Sequence, residues 1–516
     1  MGGYDYVIVG AGSAGCVLAA RLSEDPEARV AVVEAGGPDN AEEILVPAAL
    51  ARQFKGEFDW DLDSEPEPGL GGRRAYLPRG RTLGGSSSMN AMIYVRGHPA
   101  DYDAWAADGA SGWSHADVLP YFLRAEDNER GAGDHHGVGG PLTVSDGRSN
   151  HPLASAFLDA AEQAGYRRNA DFNGDTQEGM GRYQLTQRGG LRCSAAVAYL
   201  HPAMERPNLT VLPWTRALRV RCEGGRANAV EVTRYGEVEV LTAEREVILA
   251  AGAYESPKLL MLSGIGPADQ LRDLDIDVLA DLPVGEGLQD HCMAPLNWRT
   301  DTESLMAAAS NPDSVTLLES EGRGPLTSNI AEAGGFAHSR PGLPAPDLQF
   351  HMTPTLYHQE GLGATVDHGF AIGPCVLAPT SRGRVTLRSS IPGAAPRVLH
   401  NYLATEEDRA ALVSGVRIAL DIAGREAMAA VTTGPFDLPE SDSQTDILGW
   451  AAARAMTLYH PTSTCGIGSV VDPDLRVRGI AGLRVADASV FPSVPRGNTN
   501  APTIMAGEKA ADLIRG

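Results

Sequence analysis

No Cys-x-x-Cys pair and no Cys/His cluster occurs in this chain. Its six cysteines stand far apart, at 16, 193, 222, 292, 375 and 465. That spacing argues against a structural zinc site and gives no disulfide framework. Reduced thiols in a cytoplasm are the expectation. Met1-Gly2-Gly3 leads almost directly into the apolar run Tyr6-Val7-Ile8-Val9 with no basic segment, so no cleavable signal is expected. No run of ~18 apolar residues occurs, so no membrane span is expected. Positive charge is also scarce: 43 Lys and Arg stand against 66 Asp and Glu, a net charge of −23. DNA, RNA and anionic membranes are negative too, and are poor partners for such a chain. Internal repeats and low-complexity tracts are absent. What remains is the composition of a soluble globular protein, 43% hydrophobic and 21% charged. Its 516 residues exceed the ~250–300 that one core serves, so two domains are expected.

The first 35 residues read as a βαβ unit. Asp5–Val9 is a short β-branched run suited to a buried parallel strand. Gly10-x-Gly12-x-x-Gly15 follows it and opens a small-residue helix at Ala14–Ser23. In such a turn Gly10 permits the tight bend, Gly12 lets backbone approach a pyrophosphate, and Gly15 lets helix pack on strand. The helix N-terminus offers free N–H groups and positive potential to phosphates. Val30–Val33 forms the second strand, and Glu34 ends it, where a carboxylate can accept from a ribose diol. The same carboxylate would repel a 2′-phosphate, which disfavours NADP.

Residues 36–150 are rich in Gly, Pro, Asp and Arg and read as extended surface loops. A helix is expected at Pro152–Ala164, with strands at Val211–Val220 and Glu237–Ala251. Between about 295 and 450 the pattern changes, with strands at Asp347–Met352 and Gly383–Leu387 and a helix at Glu406–Arg425. The last 55 residues return to the first pattern. The expected fold class is mixed α/β: a Rossmann-like dinucleotide domain (1–150, 191–295, 455–516) with an inserted domain (151–190, 296–454) on an antiparallel sheet flanked by helices.

Three further segments carry a resemblance. They are Gly80-Arg81-Thr82-Leu83-Gly84-Gly85-Ser86-Ser87-Ser88-Met89-Asn90, then Gly252–Gly266, then Leu458-Tyr459-His460-Pro461 with 482–489 and Asn498-Thr499-Asn500-Ala501-Pro502. With the N-terminal turn they span the chain, and they resemble the signatures of the glucose–methanol–choline (GMC) oxidoreductases. The resemblance implies FAD as the dinucleotide, with the substrate-domain sheet over the flavin. It assigns to the cofactor Gly10, Gly12, Ser13, Ala14, Gly15, Glu34, Ala35 and Trp60. From the loop after them it adds Arg81, Gly84, Gly85, Ser88, Asn90, Ala91, Met92 and Ile93. Val220, Ala251, Gly252, Asp487, Ala488, Asn500, Pro502 and Thr503 complete the set. Ser256-Pro257 reads as a helix start. Some family members link FAD through a histidine where this chain has Met89, so dissociable FAD is expected.

Hydride loss from an alcohol needs the hydroxyl proton removed, and a histidine suits that task. The resemblance makes His460 the base and Asn500 the amide that holds the alcohol oxygen. His135, His136, His201, His351 and His358 are read as structural. His351, Met352 and Tyr357 fit core packing or a pocket roof. Choline-specific relatives carry a glutamate about nine residues beyond the position of His291, where this chain has Trp298-Arg299; that disfavours choline. The expected activity is FAD-dependent oxidation of a primary alcohol, with oxygen or another electron acceptor. Oligomeric state, alcohol and acceptor stay open. The same fold hosts a hydroxynitrile lyase and a light-driven decarboxylase, and a non-catalytic flavin-binding protein is a third reading.

Overall fold

The computed structural model describes residues 3–363 and 367–516; Met1 and Gly2 of the N-terminal reading lie outside them. The first apolar run forms the strand Tyr4–Val9, and the helix after the turn is Ser13–Leu22. Tyr4–Val9 pairs in parallel with Val30–Val33 on one side and Glu237–Leu249 on the other. Leu209–Leu212 and Leu483–Val485 extend the parallel part, and Arg226–Arg234 and Thr215–Glu223 add antiparallel strands at one edge. Val30–Val33 is buried throughout, as a parallel strand covered on both faces must be. The C-terminal helix Asn500–Arg515 lies on Ser13–Leu22. There the fully buried Glu508 accepts from Arg21 at 2.8 and 2.9 Å and from the Tyr199 hydroxyl at 2.8 Å.

A second, antiparallel sheet runs in the order Gly434–Asp437, Leu296–Arg299, Gly369–Val376, Leu348–Thr353, Ala333–Ala337, Gly179–Arg182. Helices Pro152–Gln163 and Glu406–Ala423 cover it, burying Phe157, Leu412 and Val416 with Leu348 and Phe350. The fold is therefore mixed α/β with several sheets. Cys292–Met293 and Met456–Thr457 are two further short strands. They pair with each other, and Cys292–Met293 also pairs with Gly369–Val376, so both belong to the second sheet.

Three local expectations are corrected. Residues 36–150 are not only loops: they contain the helices Pro99–Ala107 and His115–Ala125, each begun by a capping box. These helices bury Tyr102, Trp105 and Phe122. Val211–Val220 is two strands, broken at Pro213-Trp214. The helix expected to start at Ser256-Pro257 starts at Gly252. Pro257 sits inside it, and the Ala253 carbonyl that Pro257 cannot serve accepts from the Thr464 hydroxyl at 2.8 Å. Among the described residues no helix is long and apolar enough to cross a membrane, and all six cysteines are free.

The first turn tolerates no side chain at its third glycine. A Cβ on Gly15 would lie 1.8 Å from the Gly10 carbonyl oxygen, both backbone-fixed. Gly15→Ala is expected to lower stability by about 1–3 kcal/mol, the cost of an overpacked core. Denaturant unfolding of the purified protein checks this; an unchanged midpoint would contradict it.

Candidate active site

One cavity of about 300 Å³ runs from the glycine turn to the second sheet. At its first end the helix Ser13–Leu22 has no side-chain cap, so its leading N–H groups are free to meet a ligand. A Cβ on Gly12 would meet nothing nearer than 3.9 Å, and one on Gly252 nothing within 4 Å. Bare backbone thus faces open space at both places. Glu34 is buried beside them, and its two oxygens accept from the N–H groups of Ala11 (3.0 Å) and Gly36 (2.8 Å). Burial pushes its carboxyl up to about 7, against the pull of these N–H groups. Trp60 also lines this end, with the guanidinium carbons of Arg216 and Arg81 5.3 and 5.9 Å from its ring centre. Asp487 accepts from the Gly252 N–H (2.9 Å), the Ser256 hydroxyl (2.6 Å) and the Ser489 N–H (2.8 Å).

The loop 80–93 is docked onto the turn. Gly84 N–H donates to the Ala11 carbonyl at 2.7 Å, and a Cβ on Gly85 would lie 2.7 Å from the Gly12 α-carbon. Gly85 has φ +52, so both its space and its backbone favour glycine. Asn90 faces the cavity with its oxygen accepting from Met92 N–H (3.0 Å) and Arg192 Nη1 (2.8 Å). Arg192 is buried, and its guanidinium also donates to the carbonyls of Ile44, Ser87 and Asn90. It fixes the underside of this loop, a role that no local sequence signal reveals.

At the other end stands His460. His291 Nε2 lies 3.1 Å from the Leu377 carbonyl, which can only accept, so that nitrogen carries the proton. Burial pushes His291 down to about 4, so it is neutral and its Nδ1 is bare. That Nδ1 is 2.9 Å from His460 Nδ1 and can only accept from it. Burial first, then His291, hold His460 well below the usual histidine range. His460 is therefore neutral with Nδ1 protonated and Nε2 bare. Asn498 Nδ2 lies 3.3 Å from that Nε2, while Asn498 Oδ1 accepts from Gln349 Nε2 at 3.0 Å. The glutamine fixes which end of the amide faces the histidine.

Asn500, expected at the base, is elsewhere. It opens the last helix, and its oxygen accepts from the Ser13 hydroxyl at 2.8 Å. It therefore joins two uncapped helix N-termini at the dinucleotide end. The amide at His460 comes from Asn498, two residues earlier in the same motif. Of the other expected residues, Gly10, Ser13, Ala14, Ala35, Ala91, Met92, Ile93, Ala251, Ala488 and Thr503 also line the cavity. Gly15, Arg81, Gly84, Ser88, Val220 and Pro502 do not. Ser88 donates to the Leu83 carbonyl (2.8 Å), and Val220 N–H to the Ser263 hydroxyl (2.8 Å). Thr215, Arg216 and Ala217 line the cavity in place of Val220. Pro502 is buried as the third residue of its helix. His351 and Tyr357 line the cavity, whereas Met352 is core. Trp298 stacks on Phe370 and Arg299 pairs with Asp367 at the surface, so neither reaches the cavity. The argument against choline drawn from them does not hold.

Residues 4–293 and 379–507 match the N- and C-terminal profiles of GMC oxidoreductase. The chain belongs to the GMC oxidoreductase family. It is 47% identical to an uncharacterised GMC-type oxidoreductase of Mycobacterium tuberculosis, covering 99% of each. It is 45% identical to the oxygen-dependent choline dehydrogenase of Sinorhizobium fredii, covering 99% of this chain and 95% of that one. A pyridoxine 4-oxidase from Mesorbium loti has the same fold, with TM-score 0.91, 31% identity, and 99% and 98% coverage. This GMC oxidoreductase has the features a dinucleotide needs: free helix N–H groups, bare glycine backbone and a buried carboxylate, all on one wall.

Two outcomes test that end of the site. Hydrogen bonds from a ribose diol to Glu34 are charge-assisted, worth about 1.5–3 kcal/mol. Glu34→Ala is thus expected to weaken FAD by about ten- to a hundredfold, read as flavin lost on dialysis. Retention equal to the parent would contradict the role. With Met89 in the loop, acid precipitation is expected to release all the flavin into the supernatant; yellow colour in the pellet would contradict this.

Proposed function

We propose that this GMC oxidoreductase oxidises a primary alcohol to an aldehyde with non-covalently bound FAD as its cofactor. The observation that carries this reading is the bare Nε2 of His460, facing a cavity beside an amide whose N–H end is fixed. Bound FAD supplies the hydride acceptor. His460 Nε2 takes the hydroxyl proton, so that electron density on oxygen drives the hydride off carbon. Asn498 Nδ2 donates to the same oxygen and holds it in place. His291 keeps the other His460 nitrogen protonated, and so keeps Nε2 available. The backbone of Gly12, Ser13 and Ala14 would hold the pyrophosphate and Glu34 the adenosine ribose, while Asn500 joins the two helix ends through Ser13. The uncapped N-terminus of Asn500–Arg515 would stabilise negative charge on a group held against it. Choline and pyridoxine, named for two of its relatives, both carry a primary alcohol.

His460→Ala is expected to slow anaerobic flavin reduction by alcohol by about 10²–10⁴, with FAD retained. Asn498→Ala is expected to slow it by about tenfold, the worth of one hydrogen bond. The two losses should not add, since both groups act on one oxygen. Asn500→Ala should instead loosen the flavin. Rapid mixing separates these effects, and parent-rate reduction by His460→Ala would overturn the proposal. The pH profile has a defined sign. His460 is held below its ordinary 6.5, so the neutral base is already formed above that pH. The rate is expected to be flat above 6.5 and to fall only in acid; a rising limb centred above 7 would contradict the assignment.

A further inference from the structure

The cavity holds few charges, and their places decide what kind of alcohol can enter. Three carboxylates line it: Glu34, Glu255 and Asp487. All three are engaged. Glu34 accepts from two backbone N–H groups. Glu255 pairs with Lys258 at 3.0 Å. Asp487 accepts from Gly252, Ser256 and Ser489. They also sit at the end of the strand Val30–Val33 beside the turn, on the helix Gly252–Leu262 and just before Ser489, which is the dinucleotide wall.

Around His460 the polar groups are neutral. His351 is buried and pushed down to about 3 by desolvation, so it carries no charge. The hydroxyls of Tyr357 and Tyr459 are 2.7 Å apart, one donating to the other, and both are uncharged. Met293, Ile330, Leu458 and Phe54 add apolar side chains to the same space, beside the uncharged Asn329 and Thr353. Asp290 is close to His460 but lies behind it. Its oxygens accept from His460 N–H (2.7 Å), His291 N–H (2.9 Å), Thr457 and Tyr402 hydroxyls (both 2.5 Å), and it does not line the cavity.

The charge nearest the base that does face the cavity is positive. Arg79 Nη2 donates to the Tyr459 carbonyl at 2.7 Å, and Nε to the Pro78 carbonyl at 2.6 Å. Among the described residues no carboxylate is within ion-pair distance of this guanidinium. A substrate cation would leave water, meet no anion and share the space with Arg79. A hydrocarbon tail would lose only water, and gain contact with Met293 and Ile330.

We infer that the substrate is an uncharged primary alcohol with an apolar tail, and that quaternary-ammonium alcohols are rejected. This rests on the reading of the site as alcohol-oxidising. Choline and 3,3-dimethylbutan-1-ol test it, because they share shape and hydroxyl and differ by one charge. The holoenzyme is mixed anaerobically with each, and flavin bleaching is followed against concentration. The neutral alcohol is expected to give a kred/Kd at least tenfold higher than choline. Tetramethylammonium, which has no hydroxyl, is expected not to slow its oxidation. Equal or better reduction by choline, or submillimolar inhibition by tetramethylammonium, overturns the inference while leaving alcohol oxidation standing. No bleaching by either alcohol, or by longer neutral primary alcohols, overturns the oxidation reading and this inference with it. Met293 is two residues beyond His291 and faces the cavity. Met293→Glu is expected to shift the choline-to-neutral ratio at least tenfold toward choline. An unchanged ratio in the folded, flavin-loaded variant counts against the placement of the tail at Met293, and so against the inference.

Discussion

The Asp290 carboxylate holds together the segments on which the His460 end of the cavity is built. One oxygen takes the backbone N–H of His460 and of His291, and the other takes the hydroxyls of Thr457 and Tyr402. These residues come from three distant parts of the chain. A buried carboxylate with four donors is fully satisfied, and removing any donor leaves a costly orphan. The arrangement sets two backbones in one register, which the pairing of Cys292–Met293 with Met456–Thr457 continues. Only with that register do His291 and His460 meet at 2.9 Å. The protonation of the base then follows from a carbonyl, Leu377, that cannot donate.

The dinucleotide end depends on a different kind of constraint, close approach. The loop 80–93 and the turn 10–15 touch through backbone, at distances that leave no room for side chains at Gly85 or Gly15. Arg192 holds the loop from below through carbonyls rather than carboxylates. Asn500 and Ser13 then tie the C-terminal helix to the first one. The two ends of the cavity thus share the segment Asn498–Asn500: Asn498 meets His460, and Asn500 meets Ser13.

The parts of the fold written in short stretches of sequence were legible. The first strand, turn, helix and second strand lie within 35 residues, and their alternation of β-branched, glycine and small residues has one physical reading. The GMC family, the mixed α/β fold and FAD as the cofactor followed from motifs of that local kind. What depends on distant contacts was not legible. Which of Asn498 and Asn500 faces the base turns on where the last helix begins, and the structure starts it at Asn500. Val220 was expected at the cofactor, but its N–H is taken by the Ser263 hydroxyl, and Thr215, Arg216 and Ala217 of the same strand line the cavity. The helices Pro99–Ala107 and His115–Ala125 were missed because they are short, and the second contains Pro120. Counting about nine residues beyond His291 led to Trp298-Arg299, which lie outside the cavity; the cavity residue near that histidine is Met293.

The central claim is that the chain Leu377 carbonyl, His291, His460 leaves Nε2 of His460 bare and ready to take a proton. Nitrogen-15 NMR of the holoenzyme with labelled histidine reads this directly, with the two signals assigned by His291→Gln and His460→Gln. The account predicts His460 protonated at Nδ1 and bare at Nε2, and His291 protonated at Nε2 and bare at Nδ1, at neutral pH. A proton on His460 Nε2, or a doubly protonated His460 at pH 7, would contradict it.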